Sequence, residues 1–154
     1  MISIAVIFHA AIIGFMIFFS AVVAQSVFKT LSQKAAGAFL RVLFPRMFIF
    51  GLILSLLASS VAAYDGIAEM ALLSIFVSTG FVLNAFVVTP IINKQRDAML
   101  EGDDNAGKKF KQFHFVSVAI FLVQLITWYL LIILSKIYLL NPFLMKVKLV
   151  YFSF

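Results

Sequence analysis

The sequence predicts an all-α integral membrane protein, a four-span antiparallel helix bundle with a short interfacial C-terminal tail. Three observations predict it. The 154 residues are 64% hydrophobic and 12% charged, with a mean hydropathy of +1.15. A soluble domain of this size has too little interior to hide that much apolar surface, so lipid must solvate most of it. The apolar residues fall into four runs, each close to the roughly 20 residues a helix needs to cross a bilayer. The cations are uneven: Lys29, Lys34, Arg41 and Arg46 flank the first connection, and Lys94, Arg96, Lys108, Lys109 and Lys111 the third, whereas the second holds only Asp65 and Glu69.

The first run, 1–28, is interrupted only by His9 and Gln25 among strongly polar residues. Ala21 to Ala24 followed by Gln25 resembles a signal-peptidase site, but no basic residue precedes the run, and it is read as a first span. Ala10 and Gly14 form a small-xxx-small pair at which another helix can approach. Residues 29–46 read as a basic connection with a brief interfacial helix capped by Ser32. Pro45 suits the first turn of the next helix and biases Phe44 away from helical geometry. The second span, 46–64, carries a seam of Gly51, Ser55, Ser59 and Ala62, and Asp65-Gly66 is a turn signal.

The third span, 70–93, has a matching seam of Ala71, Ser74, Ser78 and Ala85. Asn84 lies near its middle, and an amide in lipid needs protein partners, so it should face a neighbouring helix. Pro90 marks a kink. Residues 94–112 form the one strongly hydrophilic stretch. There 94–100 prolong the third helix and 101–107 make a turn whose acids lack the calcium-loop spacing and distal Glu. The fourth span, about 113–135, sets His114, Ser117, Phe121, Gln124 and Trp128 at steps of three and four, on one face. That face should look into the bundle. Asn84, His114, Ser117 and Gln124 are thus the expected polar centre, with Pro45, Pro90 and Arg96 shaping the cytoplasmic end. Asn141-Pro142 breaks any helix in the tail 136–154, whose Lys146 and Lys148 alternate with apolar residues. Domain limits of 1–135 for the four-helix domain and 136–154 for an interfacial or partner-bound tail follow.

Charge sets the expected topology. The cations of the first and third connections outnumber the three of the tail, which places connections 29–45 and 94–112 in the cytoplasm and both termini outside, in a bacterial inner membrane. In a soluble protein a net charge of +6 would point to nucleic acid; here the cations sit in loops, and none is expected as a partner.

The absence of cysteine excludes disulfides, thiolate metal sites and iron–sulfur clusters. His9 is the one haem or metal candidate inside a span. A single site bridging His9 and His114 is ruled out by a depth difference of roughly 20 Å at 1.5 Å per residue. The serines have no adjacent base, and no intramembrane acid or base marks an ion path. No cofactor is expected, with haem at His9 as the alternative.

Leu31, Ala36-Gly37 and Leu43-Phe44-Pro45 after a first span, Asn84 followed by Pro90 and Arg96, and Phe110 with His114 and Ser117 form an ordered pattern. It resembles the four-helix membrane family named for transmembrane protein 205, from about Phe8 to Leu125. That family has no established activity; the link of its animal members to resistance against a platinum drug implies handling of metal complexes. A more distant likeness is to four-helix membrane proteins that bind haem and oxidise protoporphyrinogen, or that handle copper. Those carry a first-span histidine, as His9 is here, together with a third-span Trp and Lys that this sequence lacks. The expected function is a non-enzymatic membrane protein acting as an oligomer or as an accessory subunit of a larger complex. The alternatives are a haem- or metal-binding protein using His9 and a small transporter of metal complexes.

Overall fold

The computed structural model describes the backbone of residues 4–140 and the side chains of residues 4–133. It contains α1 (Ile4–Thr30), α2 (Gln33–Tyr64), α3 (Ala68–Leu100) and α4 (Asp104–Leu140), each with a stretch long and apolar enough to cross a membrane. No strand occurs among the described residues. The fourth helix runs on through Ser135, so the expected tail boundary falls inside it; the interfacial tail expected over residues 141–154 lies outside the described residues.

Three short turns join the helices, and local chemistry explains each. Leu31 adopts an extended conformation and ends α1, after which the Ser32 hydroxyl accepts the Ala35 N–H at 3.4 Å and caps α2. Gly66, at φ +73°, lets the chain reverse sense while its N–H and that of Ile67 satisfy the carbonyls of Ala63 and Ala62. Gly102, at φ +99°, does the same after α3, and the Asp103 carboxylate then accepts the N–H groups of Asn105 and Ala106 to start α4.

The first connection is much shorter than expected. Helix α2 is unbroken over 32 residues with Pro45 in its interior, so there is no separate interfacial helix and no break at Phe44. Proline removes one donor and collides with the carbonyl four residues back, here that of Arg41. Arg41 is exposed, where solvent can serve that carbonyl, and packing on both sides of Pro45 holds the helix together. Near Pro90 the third helix widens into a π-helical turn at Asn84–Val88, which accommodates a ring that an ordinary helix interior would exclude. A second such turn, Phe19–Ala24, lies in α1.

The helices form a ring in which each packs against its sequence neighbours and α1 closes on α4; among the described residues the diagonal pairs have no close backbone approach. Both small-residue seams face inward: Gly51, Ser55, Ser59 and Ala62 on α2, and Ala71, Ser74, Ser78 and Ala85 on α3, are buried. Ile12, Met16, Phe48, Phe81 and Trp128 fill the middle. Gly51 is needed there, since a Cβ would come within 2.7 Å of the Phe81 ring. The pair Ala10 and Gly14 faces outward instead, because the inward stripe of α1 is Ala5, His9, Ile12 and Met16.

Candidate functional site

The buried polar side chains form a line down the bundle. His9 is 1% exposed at one end of it. Its Nδ1 faces the Ala5 carbonyl one turn back and must therefore carry the proton. A ring protonated there accepts the Ser74 hydroxyl at Nε2, 2.9 Å away across the diagonal of the ring of helices. Trp128 packs against the imidazole with centroids 5.1 Å apart. Sequence spacing placed Ser74 only in a packing seam; nothing in a single chain announces that the α1 histidine will meet it.

Two reciprocal amide contacts continue the line. Gln124 of α4 donates to the Val77 carbonyl of α3 at 3.1 Å, and Asn84 of α3 donates to the Ser117 carbonyl of α4 at 3.4 Å. From Val77 to Asn84 is seven residues forward on α3, and from Gln124 to Ser117 is seven residues back on α4. Seven residues are two helical turns, so both contacts lie on one face and share one register. Gly80 makes room for the upper amide: a Cβ there would sit 2.6 Å from Gln124 Cδ. Three buried atoms on this line have no protein partner, namely Asn84 Oδ1, Gln124 Oε1 and Trp128 Nε1.

His114 does not join this line. It is exposed on α4 and stacks along Phe110, one turn away, with centroids 6.1 Å apart. The inward stripe of α4 runs through Ala106, Phe110, Phe113 and Ser117, and His114 lies beside it, on the exposed side of Phe113. Ser117, Gln124 and Trp128 are buried as that face requires, and Phe121 is partly buried. His114 precedes Trp128 by 14 residues, hence lies about 21 Å along the axis from the level of His9.

A haem iron or metal ion at His9 would need a free ring nitrogen. Both are engaged by the protein's own groups, and a bulky indole covers the ring. Among the described residues no three His, Asp or Glu side chains come together. The residues therefore do not fit such a group. Of the seam serines, Ser55 and Ser78 donate to carbonyls of their own helices and Ser59 donates to Ala71 across the α2–α3 contact. Ser74 donates to His9, so that one serine does have a base beside it, contrary to the expectation from sequence, because the two lie on non-adjacent helices.

At the opposite end, α2 and α3 are tied by charge. Arg41 donates to the Asn93 carbonyl at 3.2 Å and pairs with the Asp97 carboxylate. Both side chains are roughly half exposed, so the pair contributes at most about 1 kcal/mol. Arg96, half-buried beside them, lays its guanidinium over Gly37 so closely that a Cβ would overlap it. Gly37 and Arg96, widely separated parts of the sequence pattern described above, are thus in contact. Pro45 lies inside α2 and Pro90 just past the π-helical turn of α3, on the same two helices.

A family model described as a domain of unknown function, DUF4149, matches residues 7–101. No curated protein and no solved structure matches the chain.

Proposed function

The chain belongs to the DUF4149 family, a family defined by a domain of unknown function, and we propose that it is a non-enzymatic integral membrane protein that works by helix packing. It acts as an oligomer or as a small accessory subunit of a larger membrane complex. The observation that carries this reading is that the imidazole and the amide N–H groups of the interior are bound by the bundle itself, with Asn84 Oδ1, Gln124 Oε1 and Trp128 Nε1 as the atoms left over. His9, the one titratable side chain in the bundle centre, has both ring nitrogens engaged, and the amides of Asn84 and Gln124 bind main-chain carbonyls of the facing helix.

The four long apolar helices and their outward belt of Phe76, Phe86, Val123 and Ile126 support insertion in a membrane. The order of the cross-helix pairs supports an antiparallel arrangement. The distribution of cations supports a cytoplasmic placement of connections 29–45 and 94–112 in a bacterial inner membrane, with both termini outside. The contact of Gly37 with Arg96 supports kinship with the family named for transmembrane protein 205. The outward pair Ala10 and Gly14, with open space at Gly14, is where a second copy or another subunit's span would pack.

Extraction in mild detergent, followed by sizing and visible absorption of the purified protein, tests this. The expected product is colourless and migrates with a second copy or with other membrane subunits. A Soret band that disappears in His9→Ala would overturn the reading in favour of a haem protein.

A further inference from the structure

We propose that the Gly37–Arg96 contact is a binding site for the phosphate of an anionic phospholipid; the proposal rests on the membrane reading above. Arg96 is half-buried with its guanidinium against Gly37, where a Cβ would overlap it, so glycine is the one residue that leaves room for it. The guanidinium is held in place, yet among the described residues it has no carboxylate or carbonyl partner. The adjacent acid, Asp97, is taken by Arg41. Glu101 is exposed in the turn beyond, and Asp103 caps α4.

Lys34, Gly37 and Arg41 follow steps of three and four on α2, so they share the face that meets Arg96. The carboxylate of Asp97 is already paired, and a guanidinium fork is the side chain that suits a phosphate. The source of that phosphate follows from the surroundings. Val27 of α1 packs on Ala36 and Leu40 of α2, which sets Gly37 level with the last turn of α1. At that level Phe28, Phe39 and Val42 are exposed. Acyl chains surround α2 there, and the phosphate within reach of Arg96 belongs to a lipid.

The test measures thermal unfolding in detergent with added phosphatidylglycerol, phosphatidylcholine or inorganic phosphate at equal phosphorus concentration, with bound lipid counted by native mass spectrometry. Phosphatidylglycerol is expected to raise the midpoint and remain bound, and the other two are not. Arg96→Gln is expected to weaken phosphatidylglycerol binding by at least about tenfold, the loss of a charge-assisted contact. Arg96→Lys, which keeps the charge without the fork, falls between, and Lys108→Gln on α4 leaves binding unchanged. An equal response to phosphatidylcholine, or undiminished lipid binding by Arg96→Gln, overturns the site. An equal response to inorganic phosphate overturns the lipid assignment. A chain that stays dispersed without detergent sinks the membrane reading and this inference together, whereas the preceding outcomes sink the inference alone.

Discussion

Replacing Gly80 by alanine tests whether the inner amide of Gln124 sets the contact of α3 with α4. In an isolated helix the change is favourable by about 1 kcal/mol, because glycine loses more backbone freedom on folding. Here the new Cβ would lie 2.6 Å from Gln124 Cδ and 2.9 Å from Nε2. Gln124 is 3% exposed, so its side chain has little room to withdraw. Moving it breaks the 3.1 Å bond to the Val77 carbonyl. An interhelical hydrogen bond in a membrane is worth about 0.6 kcal/mol, up to about 1.7. Overpacking adds about 1–3 kcal/mol. The net expectation for Gly80→Ala is a loss of about 1–3 kcal/mol after the helical gain is set against it. In a Gln124→Ala background the obstacle is gone and only the gain of about 1 kcal/mol remains. The two changes should therefore couple by about 2–4 kcal/mol. Reversible unfolding of the four variants in mixed detergent micelles reads this directly. Equal effects of Gly80→Ala in both backgrounds would refute the placement of Gln124 over Gly80.

Ser74→Ala leaves His9 Nε2 buried without a donor, and a drop of about 1–3 kcal/mol is expected in the same unfolding assay; an unchanged midpoint would show that the diagonal bond is not formed. A Cβ at Gly14 would meet nothing within 4 Å and the position faces outward, so in Gly14→Leu the monomer should keep its stability while the oligomer or complex dissociates on sizing; retention of the complex would move the interface elsewhere. Pro45→Ala, in a helix already continuous through residue 45, should leave stability unchanged or raise it, and loss of helicity by circular dichroism would contradict an unbroken α2. Gly66→Ala forces a side chain into the left-handed region and should cost about 1–2 kcal/mol, an effect absent in Gly14→Ala.

What the sequence made legible is what long apolar helices packed on one another make compulsory. Apolar runs, turn glycines and small-residue seams are local signals, and they located all four helices and the inward faces of α2 and α3. The inward setting of Ser117, Gln124 and Trp128 was legible for the same reason, since a helical period fixes relative direction along one helix. Steps of three and four are both compatible with one face, and going back from Ser117 the buried stripe takes the step of four to Phe113, which leaves His114 outside it. Ala10 and Gly14 show the converse error: small-xxx-small marks a surface able to receive a helix, and only the packing of Ile12 and Met16 reveals that the bundle uses the other side. Pro45 was read from the local cost of proline, which a 32-residue helix with packed neighbours outweighs. The His9–Ser74 bond joins residues 65 apart on non-adjacent helices, and no local pattern encodes it.

These polar contacts matter for register more than for strength. Between spans in lipid, apolar burial gives no preference for association, because acyl chains are as apolar as leucine. Shape and hydrogen bonds must then decide how α3 and α4 are aligned. Small residues alone leave that choice open, since they would accept a helix shifted by one turn nearly as well. A shift of one turn, about 5.4 Å, removes the amide of Gln124 from Val77 and that of Asn84 from Ser117 at once. It also moves Gln124 off Gly80 and carries Trp128 away from His9. Each contact is weak singly, but they fail together, and that joint failure selects one alignment. Asn84 stands in the widened π-helical turn, where a slipped register would have its nearest alternative. Fixing that alignment at both amides is what gives a bundle made almost wholly of apolar side chains a single arrangement.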